Sequence, residues 1–111
     1  MTTIALFGAA GKMGTRISNR LKEDPLFQTF YVESGEAAEA RLGERGLTPT
    51  PPEVAARQAD IVILSIPDKL IGKISAQVVP LMKPRAMMVL LDPAAPHGGE
   101  LPKRADIAFF V

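Results

Sequence analysis

At 111 residues the chain has the length of one small domain, which excludes a multidomain enzyme in this stretch. Its hydrophobic share of 47% against 23% charged is ordinary for a globular fold and excludes a disordered or low-complexity chain. Thirteen Lys and Arg against twelve Asp and Glu leave a net charge of +1 with the signs interspersed, so bulk charge selects neither nucleic acid nor membrane, and the lack of cysteine excludes disulfides and thiolate chemistry.

The first apolar run, Ile4-Ala5-Leu6-Phe7, is short, continuous and closed by Gly8, as a central strand buried on both faces would be. From Gly11 to about Glu23 the residues Met13, Ile17 and Leu21 recur every fourth position and Pro25 follows, which predicts a helix. Phe27 to Glu33 reads as a second strand and Glu36 to Arg45 as an Ala-rich helix capped by Gly46. A short third strand is expected near Leu47 and Thr48. The bend Pro49-Thr50-Pro51-Pro52 then opens a brief helix over Glu53 to Gln58.

Ile61 to Ile66 is β-branched and nearly unbroken, the strongest strand signal in the chain, and Pro67 ends it. An amphipathic helix follows from Asp68 to Val79, with Leu70, Ile71, Ile74 and Val78 on one stripe. Met87 to Leu91 is a fifth strand, 92–104 a Pro- and Gly-rich loop, and Ile107 to Val111 a sixth strand. Met82, Met87 and Met88 read as core filler. This alternation predicts an α/β fold of the Rossmann type: a doubly wound, mostly parallel six-stranded sheet with helices on both faces, filling residues 1–111 as one domain.

The segment Gly8-Ala9-Ala10-Gly11-Lys12-Met13-Gly14 stands between the first strand and first helix. Glycine there lets the backbone approach a diphosphate closely, while the N–H groups and dipole of the helix start favour its charge. The competing reading is a tight turn with close helix packing at Gly14. Glu33 lies nineteen positions beyond Gly14 at a strand end, where a carboxylate can bind the ribose hydroxyls and repel a 2′-phosphate, so the expected cofactor is NAD. A solvated strand end is the alternative. Lys12 is either a phosphate contact or a solvated first-turn cation.

Ile66, Pro67 and Asp68 follow the strand expected beside the first, where strand order reverses and ligands settle. Asp68 is also a natural N-cap. Asp92 and Pro93 share that rim as candidate nicotinamide or substrate contacts, and His97 reads as a solvated loop residue. No catalytic triad, carboxylate pair or metal motif stands out.

Gly11-Lys12-Met13-Gly14 and Ala59 to Asp68 resemble the NAD-binding domain of the 6-phosphogluconate and β-hydroxyacid dehydrogenase superfamily. Asp68 to Ile74, Leu91 to Ala95 and Gly99 to Asp106 are similar to the bacterial D-apionate oxidoisomerases. The resemblance implies NAD-linked oxidation of a sugar acid coupled to isomerisation, with catalytic residues and a homodimer contact in a C-terminal domain beyond this chain. The implied cofactor residues are Gly8, Ala10, Gly11, Lys12, Met13 and Gly14 at the diphosphate, Glu33 at the ribose, and Ile66, Pro67 and Asp68 on the nicotinamide side.

An ending on Phe109-Phe110-Val111 reads as a chain cut short, against the alternative of an edge strand that ends the protein. Without cysteine, a targeting segment or an apolar run of membrane-spanning length, the expected compartment is the cytoplasm. Two other functions compete: a reductase of the dihydrodipicolinate type and a non-catalytic NAD-sensing module.

Overall fold

The computed structural model describes residues 2–90 and 106–110. Its elements are β1 (Thr2–Phe7), α1 (Lys12–Lys22), β2 (Phe27–Val32), α2 (Glu36–Glu44), α3 (Pro52–Gln58), β3 (Ile61–Leu64), α4 (Asp68–Val78), a 3-10 turn (Val79–Leu81), β4 (Met87–Leu90) and β5 (Ala108–Phe110). The strands form one sheet in the order β2-β1-β3-β4-β5 with every pairing parallel. β1 and β3 are therefore neighbours, and the strand order reverses between them, as the doubly wound reading requires.

Side chains alternate across the sheet and build two cores. Ala5 and Phe7 of β1, Val62 and Leu64 of β3, and Met88 and Leu90 of β4 pack with Ala55 and Ala56 of α3 and Ile71 and Val78 of α4. Leu6 points the other way, to Ala9, Ile17 of α1 and Leu42 of α2. Helices thus cover both faces. Burying a large side chain such as Leu6 or Leu64 contributes about 1.5–3 kcal/mol. On β3 and β4 burial is complete on one face only, because Ile61, Ile63, Met87 and Val89 remain half-buried.

Several expectations need correction. Five strands, not six, are present among the described residues, because Leu47 and Thr48 form none. That segment makes a single bridge between Pro49 and Tyr31, and prolines at 49, 51 and 52 supply no N–H with which to extend a ladder. β3 stops at Leu64 rather than Ile66. The buried residues of α1 are Gly14 and Ser18, while Met13 is exposed and Ile17 and Leu21 are half-buried. Small residues face the sheet because α1 lies so close that a Cβ on Gly14 would come within 2.1 Å of the Gly8 carbonyl oxygen. Asp68, expected as the N-cap of α4, is its first residue; Pro67 takes the cap position and its carbonyl accepts the Leu70 N–H at 2.9 Å. Leu91, the 92–104 loop with Asp92, Pro93 and His97, and Val111 lie outside the described residues.

At the amino ends of the strands, Asp60 accepts the Thr3 N–H at 2.8 Å and pairs with Lys83 at 3.0 Å. The Thr3 N–H, then Lys83, hold its carboxyl below the usual carboxylate range. A depressed pKa stabilises the fold above the unfolded value of about 4, and that contribution disappears as pH falls through the folded value. Thermal melting between about pH 5 and pH 2 should show the native chain losing stability more steeply than Asp60→Asn. Parallel slopes for the two proteins would remove Asp60 as the cause.

Candidate functional site

β1 delivers the chain to Gly8, whose φ of +79° is a conformation that side chains disfavour. A Cβ there would also sit 2.0 Å from the Ser65 carbonyl oxygen, so the close crossing of β1 and the end of β3 demands glycine. The turn continues through Ala9 and Ala10 and closes when the Gly11 N–H donates to the Gly8 carbonyl at 3.1 Å. Gly14 is likewise demanded by the approach of α1 to that turn.

Gly11 differs from both. Its φ of −72° and ψ of 172° suit any residue, and an added Cβ would meet only the Gly8 carbonyl oxygen, at the ordinary contact distance of 3.4 Å. Packing therefore gives no reason for glycine at 11. Gly11 is the N-cap of α1 without a side-chain cap, and the first turn holds no acidic residue, so no side chain of α1 itself offsets the positive end of the helix. Lys12 and Met13 in that turn are exposed.

Glu33 follows β2 and reaches the same turn. Its Oε2 accepts the Ala10 N–H at 2.8 Å and its Oε1 the Ser34 N–H at 3.3 Å. Each carboxylate oxygen retains a lone pair for a further donor. The Gly8 and Ala9 N–H groups are turned inward to the Val32 carbonyl, at 3.0 and 3.4 Å, which ties the turn to β2.

A cleft of about 420 Å³ opens at the carboxyl ends of β1, β2 and β3, between α3 and α4. Gly8, Glu33 and Ile66 line it; Ala10, Gly11, Lys12, Met13, Gly14 and Pro67 do not. Its apolar wall includes Val32, Leu70 and Ile74, and its polar groups are Glu33, Ser34, Glu53 and Gln77. The sequence reading missed Leu70, Ile74, Glu53 and Gln77 as site residues. Leu70, on the apolar stripe of α4, is 38% exposed and lines the cleft. The available signal was its place one turn into a helix that starts at the carboxyl end of a central strand, where apolar residues face ligands as readily as the core.

Among the described residues no group of His, Asp and Glu is arranged to hold a metal ion. Among the same residues, no helix is long and apolar enough to cross a membrane.

No protein-family model matches the chain. It is 46% identical over 112 residues to the D-apionate oxidoisomerase of Rhizobium rhizogenes, covering 100% of this chain and 40% of that protein. It is 47% identical over 110 residues to the D-apionate oxidoisomerase of Cupriavidus necator, covering 97% of this chain and 39% of the relative. The chain thus spans about two fifths of the length of these curated relatives. Among solved structures, a semialdehyde dehydrogenase NAD-binding protein from Cupriavidus necator, crystallised with calcium and NAD, superposes with a TM-score of 0.91. That match has 43% identity and covers 98% of this chain and 40% of the other. Over its whole length this chain is a homologue of part of the bacterial D-apionate oxidoisomerases, built as a Rossmann-type α/β domain.

Proposed function

We propose that the chain is the NAD-binding domain of an oxidoreductase acting on the CH–OH group of a sugar acid, in the manner of a D-apionate oxidoisomerase. The observation that carries this reading is Gly11: packing does not require glycine there, and its bare backbone leaves open space over an uncapped helix start beside Glu33, where a diphosphate can lie. The diphosphate is assigned to the turn formed by Gly8, Ala10, Gly11, Lys12, Met13 and Gly14. Glu33 takes the hydroxyls of the adenosine ribose and disfavours a 2′-phosphate. The adjoining cleft, with Leu70 and Ile74 on its apolar wall, suits the adenine ring. Ile66, Pro67 and Asp68 stand on the nicotinamide side.

NAD, when bound, supplies the acceptor for a hydride from the substrate carbon; this chain binds and orients it. In a protein of the relatives' length, the other three fifths, roughly, would hold the sugar acid, the catalytic residues and the homodimer contact. Residues 1–111 form the cofactor domain of that protein, which we place in the cytoplasm.

Calorimetric titration tests the reading without a substrate. The chain should bind NAD with a dissociation constant in the micromolar range, about −8 kcal/mol, and NADP at least tenfold more weakly. Absence of binding to either dinucleotide would leave the glycine turn purely structural.

A further inference from the structure

Arg45, at the C-cap of α2, turns back across the start of α1. Its Nη1 donates to the Ala9 carbonyl at 3.2 Å and to Thr15 Oγ1 at 3.3 Å; its Nη2 donates to Ser18 Oγ and, at 3.4 Å, to Asn19 Oδ1. Ser18 is fully buried, and its hydroxyl donates in turn to the Thr15 carbonyl at 3.0 Å. One guanidinium therefore joins three side chains of α1 to one carbonyl of the glycine turn.

The Ala9 carbonyl and the Ala10 N–H belong to the same peptide plane. Arg45 holds the oxygen of that plane, and Glu33 accepts from its nitrogen at 2.8 Å. A cation on the negative end of a peptide dipole and an anion on its positive end oppose rotation of the unit about its flanking bonds. Rotation would release Glu33 and turn the Ala9 oxygen to the side where the Ala10 N–H now meets that carboxylate, setting two oxygens against each other and loosening the turn on which the ligand lies.

We propose that Arg45 is a positioning residue for dinucleotide binding, acting through the Ala9–Ala10 peptide and touching no part of the ligand. The inference rests on the NAD reading of this turn. Lysine keeps the charge but has a single nitrogen, so it cannot hold the Ala9 carbonyl and Ser18 from two separate nitrogens as Arg45 does.

The test is NAD titration of the chain and of R45M, R45K and D60N, with melting temperatures and circular dichroism of each. R45M should bind NAD about tenfold more weakly and R45K about threefold, as expected for loss of charge-assisted hydrogen bonds from a preorganised turn. D60N removes the Lys83 pair at the opposite ends of the strands and should bind NAD as the native chain does, whatever it loses in melting temperature. Native affinity in R45M overturns the inference. So does a loss that tracks melting temperature equally in R45M and D60N, because Arg45 would then serve stability alone. If R45M fails to fold, R45K decides: a threefold loss with native circular dichroism supports the role, and unchanged affinity overturns it. If the native chain binds no NAD, the dinucleotide reading falls first and takes this inference with it.

Discussion

Gly11→Val is expected to leave the chain folded and to weaken NAD binding thirtyfold or more, about 2 kcal/mol, whereas Gly14→Val should prevent stable folding. The contrast follows from what each new Cβ would meet. At 11 the backbone is extended and the only neighbour is the Gly8 carbonyl oxygen at 3.4 Å, so valine costs the fold about 1 kcal/mol as a poorer N-cap. Its methyl groups would occupy the space over the helix start that the diphosphate needs. At 14 the Cβ would fall 2.1 Å from the Gly8 oxygen and 2.9 Å from the Ala9 Cα, both backbone atoms that cannot swing aside. Even Gly14→Ala should cost about 2–3 kcal/mol and lower the melting temperature by roughly 10 °C or more. A folded G11V with native affinity would remove the ligand from the explanation of Gly11, and native stability of G14A would contradict the close packing of α1.

Cofactor choice gives the second large effect. Glu33→Gln keeps an oxygen for the Ala10 N–H but removes the charge that a 2′-phosphate would face. The ratio of NADP to NAD dissociation constants should fall about tenfold or more, chiefly through tighter NADP binding. Glu33→Ala should in addition weaken NAD, since it loses the ribose acceptor and frees the turn amide. The two variants separate charge from anchoring. An unchanged ratio in E33Q would show that Glu33 does not face the 2′ position.

Much of this arrangement was legible in the sequence because its determinants are local. Ile4 to Phe7 and Ile61 to Ile66 are short, nearly unbroken apolar runs ended by Gly8 and Pro67, so they read as buried strands, and β1 and β3 pair. Pro52 fixed the start of α3 within a residue, and Gly46, at a φ of +74°, ends the α2 turn as expected. Glu33 reaches the glycine turn at the predicted strand end.

What stayed hidden depends on contacts between distant residues. The Met13, Ile17, Leu21 stripe is real in the sequence, but the distance of α1 from the sheet selects Gly14 and Ser18 for burial, and a helical period does not encode that distance. Arg45 carried no signal beyond closing a predicted helix; its partners are 26 to 36 residues away. Leu70 and Ile71 share one apolar stripe, and only the positions of α3 and β2 separate cleft from core.

β1 is made well before both of its neighbours in the sheet are in place. Ile4 pairs with Ile61, and Thr3 waits for Asp60 across a separation of 57 residues. At translation rates of about 5–20 residues per second, several seconds pass in which an apolar strand has emerged with one edge unsatisfied. During that interval the nascent chain carries an open β-edge, a template for a neighbouring nascent chain on the same message. Slower decoding between Val32 and Ile61 would lengthen that exposure, so synonymous codon choice in that stretch should alter the yield of soluble protein without altering a single residue.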